Sequence, residues 1–387
     1  MKKYIAARFR DAQGGLSLDT EALRRYGDVI DLSIGDTDFI TDSRIIDAAC
    51  RDARAGYTRY GDPKGDPELI DAIRQAWLED YSQEVSAEEV LITTSSCMGM
   101  SQVMLGLLNP GDEVIVFGPY FPVYRQQIET AGGVCREVLT FAEDGFRPRE
   151  EALETAVTPR TRALILNTPC NPTGAVWGRD TLEMIARTAE KHDLLIAADE
   201  IYTRYVYDGE FVPMRTLPGM KDRTVTLNSF SKNFMMTGWR VGCIIAHPDL
   251  IRAFQYVSNG MTYTTPAISQ RAALHALAVR EEVAETYISR YRERVFHMAD
   301  RLEAIPWITL FRPQGTFYLF PGIRKTGMTD TEFCGLLLEK AHVLVSPGSA
   351  FGRAGRGYFR IAATVPEDRL REAADRMEKL HLCVKDA

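Results

Sequence analysis

Two uninterrupted apolar runs constrain the fold of this chain more than any other feature. Residues 162–167 read RALILN and residues 194–199 read LLIAAD, and a helix is predicted between them over residues 180–192. Strands without apolar–polar alternation are typical of a parallel sheet that is buried on both faces. Strands alternate with helices from residue 90 to residue 245, so the sequence predicts an α/β fold with a mainly parallel sheet.

The pattern changes after Pro306, where a second, smaller unit is predicted. Residues 307–320 read as strand, turn and strand, a helix follows at 330–341, and a closing helix covers 366–380. This mixture of strands and helices indicates an α+β unit. A long helix over 283–302 is predicted to link the two units, and a short helix is predicted over 20–26. The 387 residues suffice for two or three domains.

Charge and composition argue against several classes of protein. The formal net charge is -7 and no strongly basic domain stands out, so a nucleic-acid partner is not expected. No apolar run approaches the ~20 residues of a membrane span, and the N-terminus lacks the apolar core of a secretory signal. The seven cysteines include no CxxC pair, and the six histidines show no metal-ligand spacing. We therefore expect a cytoplasmic protein without a metal site or a disulfide framework.

Polar side chains follow four of the predicted strands at the point where each strand ends. Ligands bind at the carboxyl ends of the strands in an open parallel sheet, so these side chains are expected to share one site. They are Ser95, Ser96 and Cys97 after the strand at 90–93, Asn171 after 162–167, Asp199 and Tyr202 at the end of 194–199, and Ser229, Ser231 and Lys232 after 225–227. Taken singly, Asp199 could equally be a helix N-cap, and Asn171 could equally be a turn residue. Four such endings with complementary chemistry favour a common ligand site.

The segment 224–242, TVTLNSFSKNFMMTGWRVG, combines groups that suit a phosphate with a lysine. The hydroxyls of Ser229 and Ser231 and the guanidinium of Arg240 are suitable phosphate ligands. The helix that begins near Ser95 offers free backbone N–H groups to the same anion. Lys232, lying beside a phosphate, is placed to hold a carbonyl compound as a Schiff base.

These motifs resemble those of the fold type I, pyridoxal-phosphate-dependent aminotransferases of the aspartate aminotransferase superfamily (class I/II). The motifs are NPTG at 171–174, DEIY at 199–202, SFSK at 229–232, GWRVG at 238–242 and SPGSAFG at 346–352, in the family's order and approximate spacing. The resemblance covers nearly the whole chain. It implies a large cofactor domain at 47–285 with a seven-stranded sheet between helices, and a smaller α+β domain at 286–387. Residues 1–46 would supply an arm and part of the small domain.

The resemblance implies that pyridoxal 5'-phosphate is the cofactor and that three residues carry the catalysis. Lys232 would hold the cofactor as a Schiff base and later move a proton at the substrate α-carbon. Asp199 would face the pyridine nitrogen and keep the ring an electron sink. Tyr202, together with Asn171, would hydrogen-bond the 3′ oxygen of the ring.

Further residues would bind the cofactor phosphate, the cofactor ring and the substrate. The implied phosphate ligands are Ser95, Ser96, Cys97, Ser229, Ser231 and Arg240. Tyr60 would reach the phosphate of the neighbouring subunit, which implies a homodimer with shared sites. Phe121 would stack on the ring, with Tyr120 and Tyr124 as competitors for that position. Arg360, in the motif YFRIA, would grip the substrate α-carboxylate, with the backbone of Gly35 nearby. Ile34 and Asn171 are also implied to bind the substrate.

The sequence departs from the family pattern at positions that bear on the substrate. Ser95 and Ser96 stand where the family commonly has a Gly-Ala or Gly-Gly pair. Cys97 stands where one subgroup that acts on acidic substrates has a lysine, which weakens the expectation of aspartate as substrate. Ile34 would face the side-chain pocket and suggests an apolar or mixed lining.

The motifs leave the reaction open between two outcomes. The first is transfer of an amino group from an L-amino acid to a 2-oxo acid. The alternative is β-elimination, as in the cystathionine β-lyase-like carbon–sulfur lyases, because Lys232 and Asp199 would serve both reactions equally. A transcription regulator of this superfamily would need a DNA-binding module before the first motif, where the chain has about 30 residues. A nicotinamide dehydrogenase is not expected, since no GxGxxG follows a first strand.

Overall fold

The computed structural model describes residues 2–10, 25–380 and 382. Most of the helix predicted over residues 20–26 lies outside the described residues. The strands are β1 (Ile30–Asp31), β2 (Val90–Thr93), β3 (Glu113–Gly118), β4 (Val134–Leu139), β5 (Thr161–Asn167), β6 (Leu195–Asp199), β7 (Thr224–Ser229), β8 (Gly242–Ile245), β9 (Tyr318–Leu319), β10 (Val343–Leu344), β11 (Ser346–Pro347) and β12 (Phe359–Ala362). The α-helices are α1 (Ser43–Arg54), α2 (Pro67–Tyr81), α3 (Ser95–Leu107), α4 (Val123–Thr130), α5 (Glu150–Ala156), α6 (Arg179–Lys191), α7 (Phe230–Asn233), α8 (Pro248–Met261), α9 (Ala267–Ala278), α10 (Arg280–Val283), α11 (Ser289–Glu303), α12 (Asp330–Ala341) and α13 (Glu367–Glu378).

A seven-stranded sheet forms the centre of the molecule, with the strand order β2-β8-β7-β6-β5-β3-β4. The pairs from β4 through β3, β5 and β6 to β7 are all parallel. Strand β8 alone runs antiparallel, to both β7 and β2. The carboxyl ends of the parallel strands therefore meet along one edge, as the sequence predicts for a mainly parallel α/β sheet.

The central strands are buried on both faces because helices cover the sheet on each side. In β5, only Arg162 is exposed. Successive side chains of a strand point to opposite faces. Accordingly, Leu164 packs in one apolar cluster with Ile196, while Ile165 packs in another with Ala197. Burial of each large aliphatic side chain contributes roughly 1.5–3 kcal/mol, so a run such as ALIL specifies this central position.

The smaller unit joins segments from both ends of the chain. Strands β11, β12 and β9 form a three-stranded antiparallel sheet, and β1 pairs in parallel with β10. Ile30 and Leu32 belong to the same apolar cluster as Val343 and Phe359. The N-terminal segment around β1 is thus held against the C-terminal part of the chain.

Helix ends in both units follow local capping signals. Asp66 accepts a hydrogen bond from the backbone N–H of Glu68 and precedes Pro67 at the first turn of α2. Both features favour a helix start. Thr329 and Glu332 form a reciprocal capping box at the start of α12. These signals explain where α2 and α12 begin, and α12 coincides with the helix predicted over 330–341.

The structure also differs from the predictions in several elements. Helix α3 begins at Ser95, as expected for the phosphate site, and extends to Leu107. The long helix expected over 283–302 begins with a π-helical segment, Ala284–Ile288, before α11. Only a bridge between Thr309 and Gly322 forms where the first strand of 307–320 was expected. Strand β8 and helix α8 were not predicted at all.

Candidate active site

A cavity of about 580 Å³ opens at the carboxyl ends of β5 and β6 and extends to the small unit. An adjoining cavity of about 290 Å³ shares Phe121, Asp199 and Lys232 with it. The larger cavity brings together eight of the residues selected from the sequence, namely Ile34, Gly35, Phe121, Asn171, Asp199, Tyr202, Lys232 and Arg360. The adjoining cavity is lined by the six expected phosphate ligands, namely Ser95, Ser96, Cys97, Ser229, Ser231 and Arg240.

Lys232 lies on the short helix α7, directly after β7. Ser229 ends the strand and caps this helix, since its Oγ accepts from the backbone N–H of Ser231 at 3.1 Å. The Nζ atom of Lys232 donates to the backbone oxygen of Gly35 at 2.5 Å. Burial lowers the pKa of the Lys232 amine to about 8, with the carboxylate of Asp36 acting in the opposite direction. A larger fraction of neutral amine at neutral pH suits a nucleophile that forms a Schiff base.

Asp199 ends β6 and is only 7% exposed. Its Oδ2 accepts a hydrogen bond from the hydroxyl of Tyr124, and its backbone oxygen accepts from Asn167 Nδ2 at 2.8 Å. Its Oδ1 is buried and has no hydrogen-bond partner among the described residues. Burial raises the pKa of this carboxyl group to about 6, and the bond from Tyr124 opposes that rise. A carboxylate that lines the cavity and has one unpartnered oxygen fits the protonated ring nitrogen of pyridoxal 5'-phosphate.

Backbone amides and small residues form a cradle for an anion at the other end of the site. Helix α3 begins at Ser95, so its first N–H groups are free to bind an anion. Gly242 on the neighbouring strand β8 allows close approach, because a Cβ there would lie 2.8 Å from the backbone nitrogen of Ser96. Arg240 completes the rim in a left-handed conformation, with a φ of 55°. The donor set fits a phosphate group.

Arg360 lies on β12 at the border between the two units and is 4% exposed. Its Nη1 donates to Asn171 Oδ1 at 2.9 Å, and its Nη2 donates to the backbone oxygen of Ser33. The guanidinium packs on the rings of Tyr318 and Phe351, 4.5 and 4.7 Å from the ring centroids. Its Nε lacks a hydrogen-bond partner among the described residues. A buried guanidinium with a free donor is suited to a carboxylate ligand.

Tyr202 and the aromatic residues of the site occupy distinct positions. The hydroxyl of Tyr202 donates to that of Tyr318 at 3.1 Å, so both phenols face the larger cavity together. Phe121 lines both cavities, whereas Tyr120 is buried and its hydroxyl accepts from Arg125. Tyr124 also lines both cavities, but its hydroxyl is bound to Asp199. The stacking role of Phe121 stays a prediction.

Tyr60 is not brought to either cavity within one subunit. Its side chain is 83% exposed and contacts Tyr263 edge to face, with 5.4 Å between the ring centroids. This exposure leaves Tyr60 free to contact another molecule, as the resemblance implies. Its role stays a prediction.

The contacts of four residues in the site were not predicted from the sequence. Tyr124 was considered only for ring stacking, yet its hydroxyl binds Asp199. Asn167 was read as the last residue of a strand, although its amide links Asp199 to the backbone of Asn171. Tyr318 and Ser33 contact Arg360 from distant parts of the chain. A polar residue that ends a buried strand, such as Asn167, was the one local signal available.

No group of three or more His, Cys, Asp or Glu side chains is arranged to hold a metal ion among the described residues. Within the same part of the chain, no helix combines the length and the apolar character that crossing a membrane requires.

Comparison with known proteins identifies the family. The model of the family described as "Aminotransferase class I and II" matches residues 27–377. The aspartate/prephenate aminotransferase of Thermus thermophilus is 37% identical over 363 residues, covering 92% of each chain. The arginine–pyruvate transaminase of Pseudomonas aeruginosa is 37% identical over 350 residues, covering 90% of this chain and 89% of that one.

A solved structure agrees with these sequence matches. A double mutant of Thermus thermophilus aspartate aminotransferase superposes with a TM-score of 0.92 at 34% identity, covering 97% of this chain and 99% of the other. These likenesses to proteins called aminotransferases or transaminases favour transamination over β-elimination. The chain therefore belongs to the class I and II aminotransferases, enzymes that use pyridoxal 5'-phosphate to transfer an amino group between an amino acid and a 2-oxo acid.

Proposed function

We propose that Lys232 holds the cofactor and also moves the proton during transamination. The observation that carries this assignment is the shared cavity that Lys232 and Asp199 both line, together with the Asp199 Oδ1 that has no hydrogen-bond partner among the described residues. The amine has a lowered pKa and donates a hydrogen bond to the backbone oxygen of Gly35. An amine that has been released from its contact with Gly35 can accept a proton from a substrate α-carbon and return it.

Asp199 and the cradle at the start of α3 would fix the two ends of the cofactor. When bound, pyridoxal 5'-phosphate supplies an electron sink for the negative charge left on the α-carbon. The Asp199 carboxylate would accept a hydrogen bond from the ring nitrogen and balance its positive charge. Ser95, Ser96, Cys97, Ser229, Ser231 and Arg240 would hold the phosphate, and Phe121 would pack against the ring. Tyr202 and Asn171 would bind the ring's 3′ oxygen.

Arg360 is proposed to bind the substrate α-carboxylate. The rings of Tyr318 and Phe351 pack against the Arg360 guanidinium and fix its plane. The Nε atom of Arg360 remains available to a ligand. Asn171 now accepts one Arg360 donor and can give it up when a carboxylate arrives. Gly35 and Ile34 lie beside this position and would contact the rest of the substrate.

A cofactor titration tests the central assignment. The enzyme loaded with pyridoxal 5'-phosphate should show a visible absorbance band that an amino acid alone converts to the band of the amino form. Lys232→Ala should retain the fold by circular dichroism but lose the lysine-bound band and turnover. Retention of full transamination by this variant would refute the assignment of Lys232.

We further propose that the enzyme is a homodimer in which Tyr60 completes the site of the partner. The exposed aromatic pair Tyr60–Tyr263 supports this, because exposed aromatic side chains are enriched at interfaces. A complementation experiment tests the arrangement, using chains that carry Lys232→Ala and chains that carry Tyr60→Ala. If Tyr60 acts across the interface, each mixed dimer contains one intact site and regains activity. If Tyr60 acts within its own subunit, mixing restores nothing.

The division into an arm with part of the small domain (1–46), a large domain (47–285) and a small domain (286–387) is likewise a proposal. The pairing of β1 with β10 supports the assignment of the N-terminal segment to the small unit. A cytoplasmic location is also proposed, and the free thiols of Cys50, Cys135 and Cys334 are compatible with it.

A further inference from the structure

Helix α7, which carries Lys232, spans only the four residues Phe230–Asn233. A helix of one turn has almost no internal hydrogen bonds, so its backbone must be fixed by contacts from other segments. The side chain of Ser229 accepts from the N–H of Ser231 and so holds the first residues of the helix. The part that includes Lys232 is held by a segment of the turn after β6.

The phenol of Tyr205 holds the backbone of Lys232 itself. Its hydroxyl donates to the backbone oxygen of Lys232 at 2.9 Å, although the two residues are 27 positions apart in the sequence. Tyr205 is fully buried, and its ring packs edge to face on the rings of Tyr202 and Phe317. A close-packed ring of this kind cannot turn away without displacing its neighbours, so its hydroxyl is a fixed point for the lysine backbone.

A second hydrogen bond joins the same two segments. Asn233, the residue after Lys232, donates from Nδ2 to Oγ1 of Thr203 at 2.9 Å. Asn233 is buried, so this bond is shielded from competition by water. We call residues 203–205 the clamp segment, because they bind α7 both at Lys232 and at the next residue.

The clamp segment is anchored in turn by both units. The N–H of Tyr205 donates to the backbone oxygen of Tyr202 at 2.8 Å, close to the end of β6. The backbone oxygen of Tyr205 accepts from the N–H of Thr316 at 2.9 Å, and the adjacent Val206 forms a bridge with Gly315. The position of the Lys232 backbone therefore depends on a segment that the large sheet and the small unit hold together.

We infer that Tyr205 is a positioning residue that holds Lys232 in place for proton transfer, with Thr203 supporting it through Asn233. This inference rests on the proposed function. While Lys232 is bonded to the cofactor, that bond restrains its side chain. After an amino acid has displaced Lys232, only contacts within the protein restrain the lysine. At that stage its neutral amine must take the α-proton, leaving the electron pair of the C–H bond on the carbon, and this step demands accurate placement.

The first measurement needs no cofactor and reports on the clamp alone. In the cofactor-free protein, amide hydrogen exchange of a peptide that covers residues 230–236 should be several-fold faster in Tyr205→Phe than in the wild type. Tyr207→Phe is the matched control, because it makes the same chemical change two positions further on. The Tyr207 hydroxyl is buried and has no hydrogen-bond partner among the described residues, so this variant should exchange like the wild type.

The second measurement is the first half-reaction of the cofactor-loaded enzyme, followed by stopped-flow absorbance. L-Alanine, L-leucine, L-phenylalanine, L-aspartate and L-glutamate are tested as donors, and the fastest is then used with hydrogen or deuterium on the α-carbon. Tyr205→Phe should lower the rate constant at saturating donor roughly tenfold. The α-deuterium isotope effect should be at least as large as in the wild type, because the slowed step breaks the C–H bond. The half-saturating concentration should stay the same, since Tyr205 lines neither cavity.

Thr203→Val removes the acceptor of the second bond and should act in the same direction as Tyr205→Phe, so it serves as the test if Tyr205→Phe fails to fold. Tyr207→Phe should keep the wild-type rate and isotope effect. The inference is overturned if Tyr205→Phe exchanges or reacts like the wild type, if its isotope effect falls, or if Tyr207→Phe slows the reaction equally. Failure of the proposed function is distinguishable, because then no donor converts the cofactor of the wild type, while hydrogen exchange still reports on the clamp segment.

Discussion

The hydroxyl of Tyr124 donates a hydrogen bond to Oδ2 of Asp199, while the buried Oδ1 of the same carboxylate has no partner among the described residues. One oxygen is thus fixed by the protein and the other is left for a ligand. Tyr124 lies on α4 and Asp199 ends β6, so a helix and the central sheet together orient the carboxylate.

Tyr124→Phe should weaken cofactor binding by roughly 1–3 kcal/mol, the typical cost of leaving a buried polar atom unsatisfied. The ring and its packing are retained, so the effect isolates the hydroxyl. Losing the bond also raises the pKa of Asp199 further, because that bond favours the charged carboxylate. Titration of the cofactor-free protein with pyridoxal 5'-phosphate at several pH values measures both changes. An unchanged affinity would contradict the role given to Tyr124.

Asp199→Asn should reduce the transamination rate by at least about 10²-fold, as expected when a preorganised charge is removed from an active site. The same change should stabilise the cofactor-free protein at neutral pH. Burial raises the pKa of Asp199 from 3.8 to about 6, so the folded protein retains a proton that the unfolded chain releases.

Stability of the wild type therefore falls as the pH rises from 3.8 to about 6, and the loss persists above that range. The gain for Asp199→Asn should be on the order of 2–3 kcal/mol at pH 7 and should vanish below pH ~4. Urea unfolding of the two cofactor-free proteins at pH 4 and pH 7 measures it. A gain of the same size at both pH values would point to a cause other than the carboxylate.

The rate of cofactor capture should rise with pH and level off above pH 8, because burial lowers the pKa of Lys232 to about 8 and only the neutral amine attacks. Stopped-flow absorbance with the cofactor-free enzyme measures this rate from pH 6 to pH 10. Asp36→Asn should move the midpoint to lower pH, since the Asp36 carboxylate favours the protonated amine. A midpoint near 10 would show that Lys232 is not shielded from water.

Gly35→Ala should destabilise the protein, because a Cβ at this position would lie 1.8 Å from the hydroxyl oxygen of Tyr318. Relief requires the ring or the strand to move, which typically costs 1–3 kcal/mol. The movement would also separate the Gly35 oxygen from Lys232. Thermal unfolding and turnover should both report the change. Gly335→Ala is a useful contrast, because that helical position has open space around it and should gain up to about 1 kcal/mol.

Arg360→Lys should lower kcat/KM by about 10²-fold or more, because lysine keeps the charge but loses the planar pair of donors. The lost bonds to the α-carboxylate are charge-assisted and are worth roughly 1.5–3 kcal/mol each. Most of the effect should appear as weaker substrate binding, visible as a higher amino-acid concentration for half-conversion of the cofactor. Equal loss for every amino acid is expected, since all share the α-carboxylate.

Much of this architecture follows from local sequence patterns. The apolar runs of β5 and β6 specify a central parallel sheet, because their apolar side chains point to both faces of the strand and both faces must be buried. Lys232, Asp199 and Asn171 could be selected because each follows a strand, and strand ends converge by topology. Strand β8 was missed because its motif, GWRVG followed by Cys243, has no clear strand periodicity at its start.

The contacts that cross between distant segments could not be predicted in this way. Tyr318 and Arg360 are neighbours only because β9 pairs with β12, and no periodicity specifies that register. Similarly, the backbone oxygen of Gly35 carries no sequence signal that would identify Lys232 as its partner. Such pairings depend on the packing of the two units.

The pairing of β1 with β10 gives the contact between Gly35 and Lys232 a thermodynamic consequence. Strand β1 leads directly to Gly35 and is held by the small unit, whereas Lys232 is anchored at the end of the large sheet. The protonation state of the amine and the position of the small unit are therefore linked equilibria. By reciprocity, a displacement of the small unit that breaks this contact alters the pKa of Lys232, and removal of the proton weakens the hold on the small unit by the same free energy.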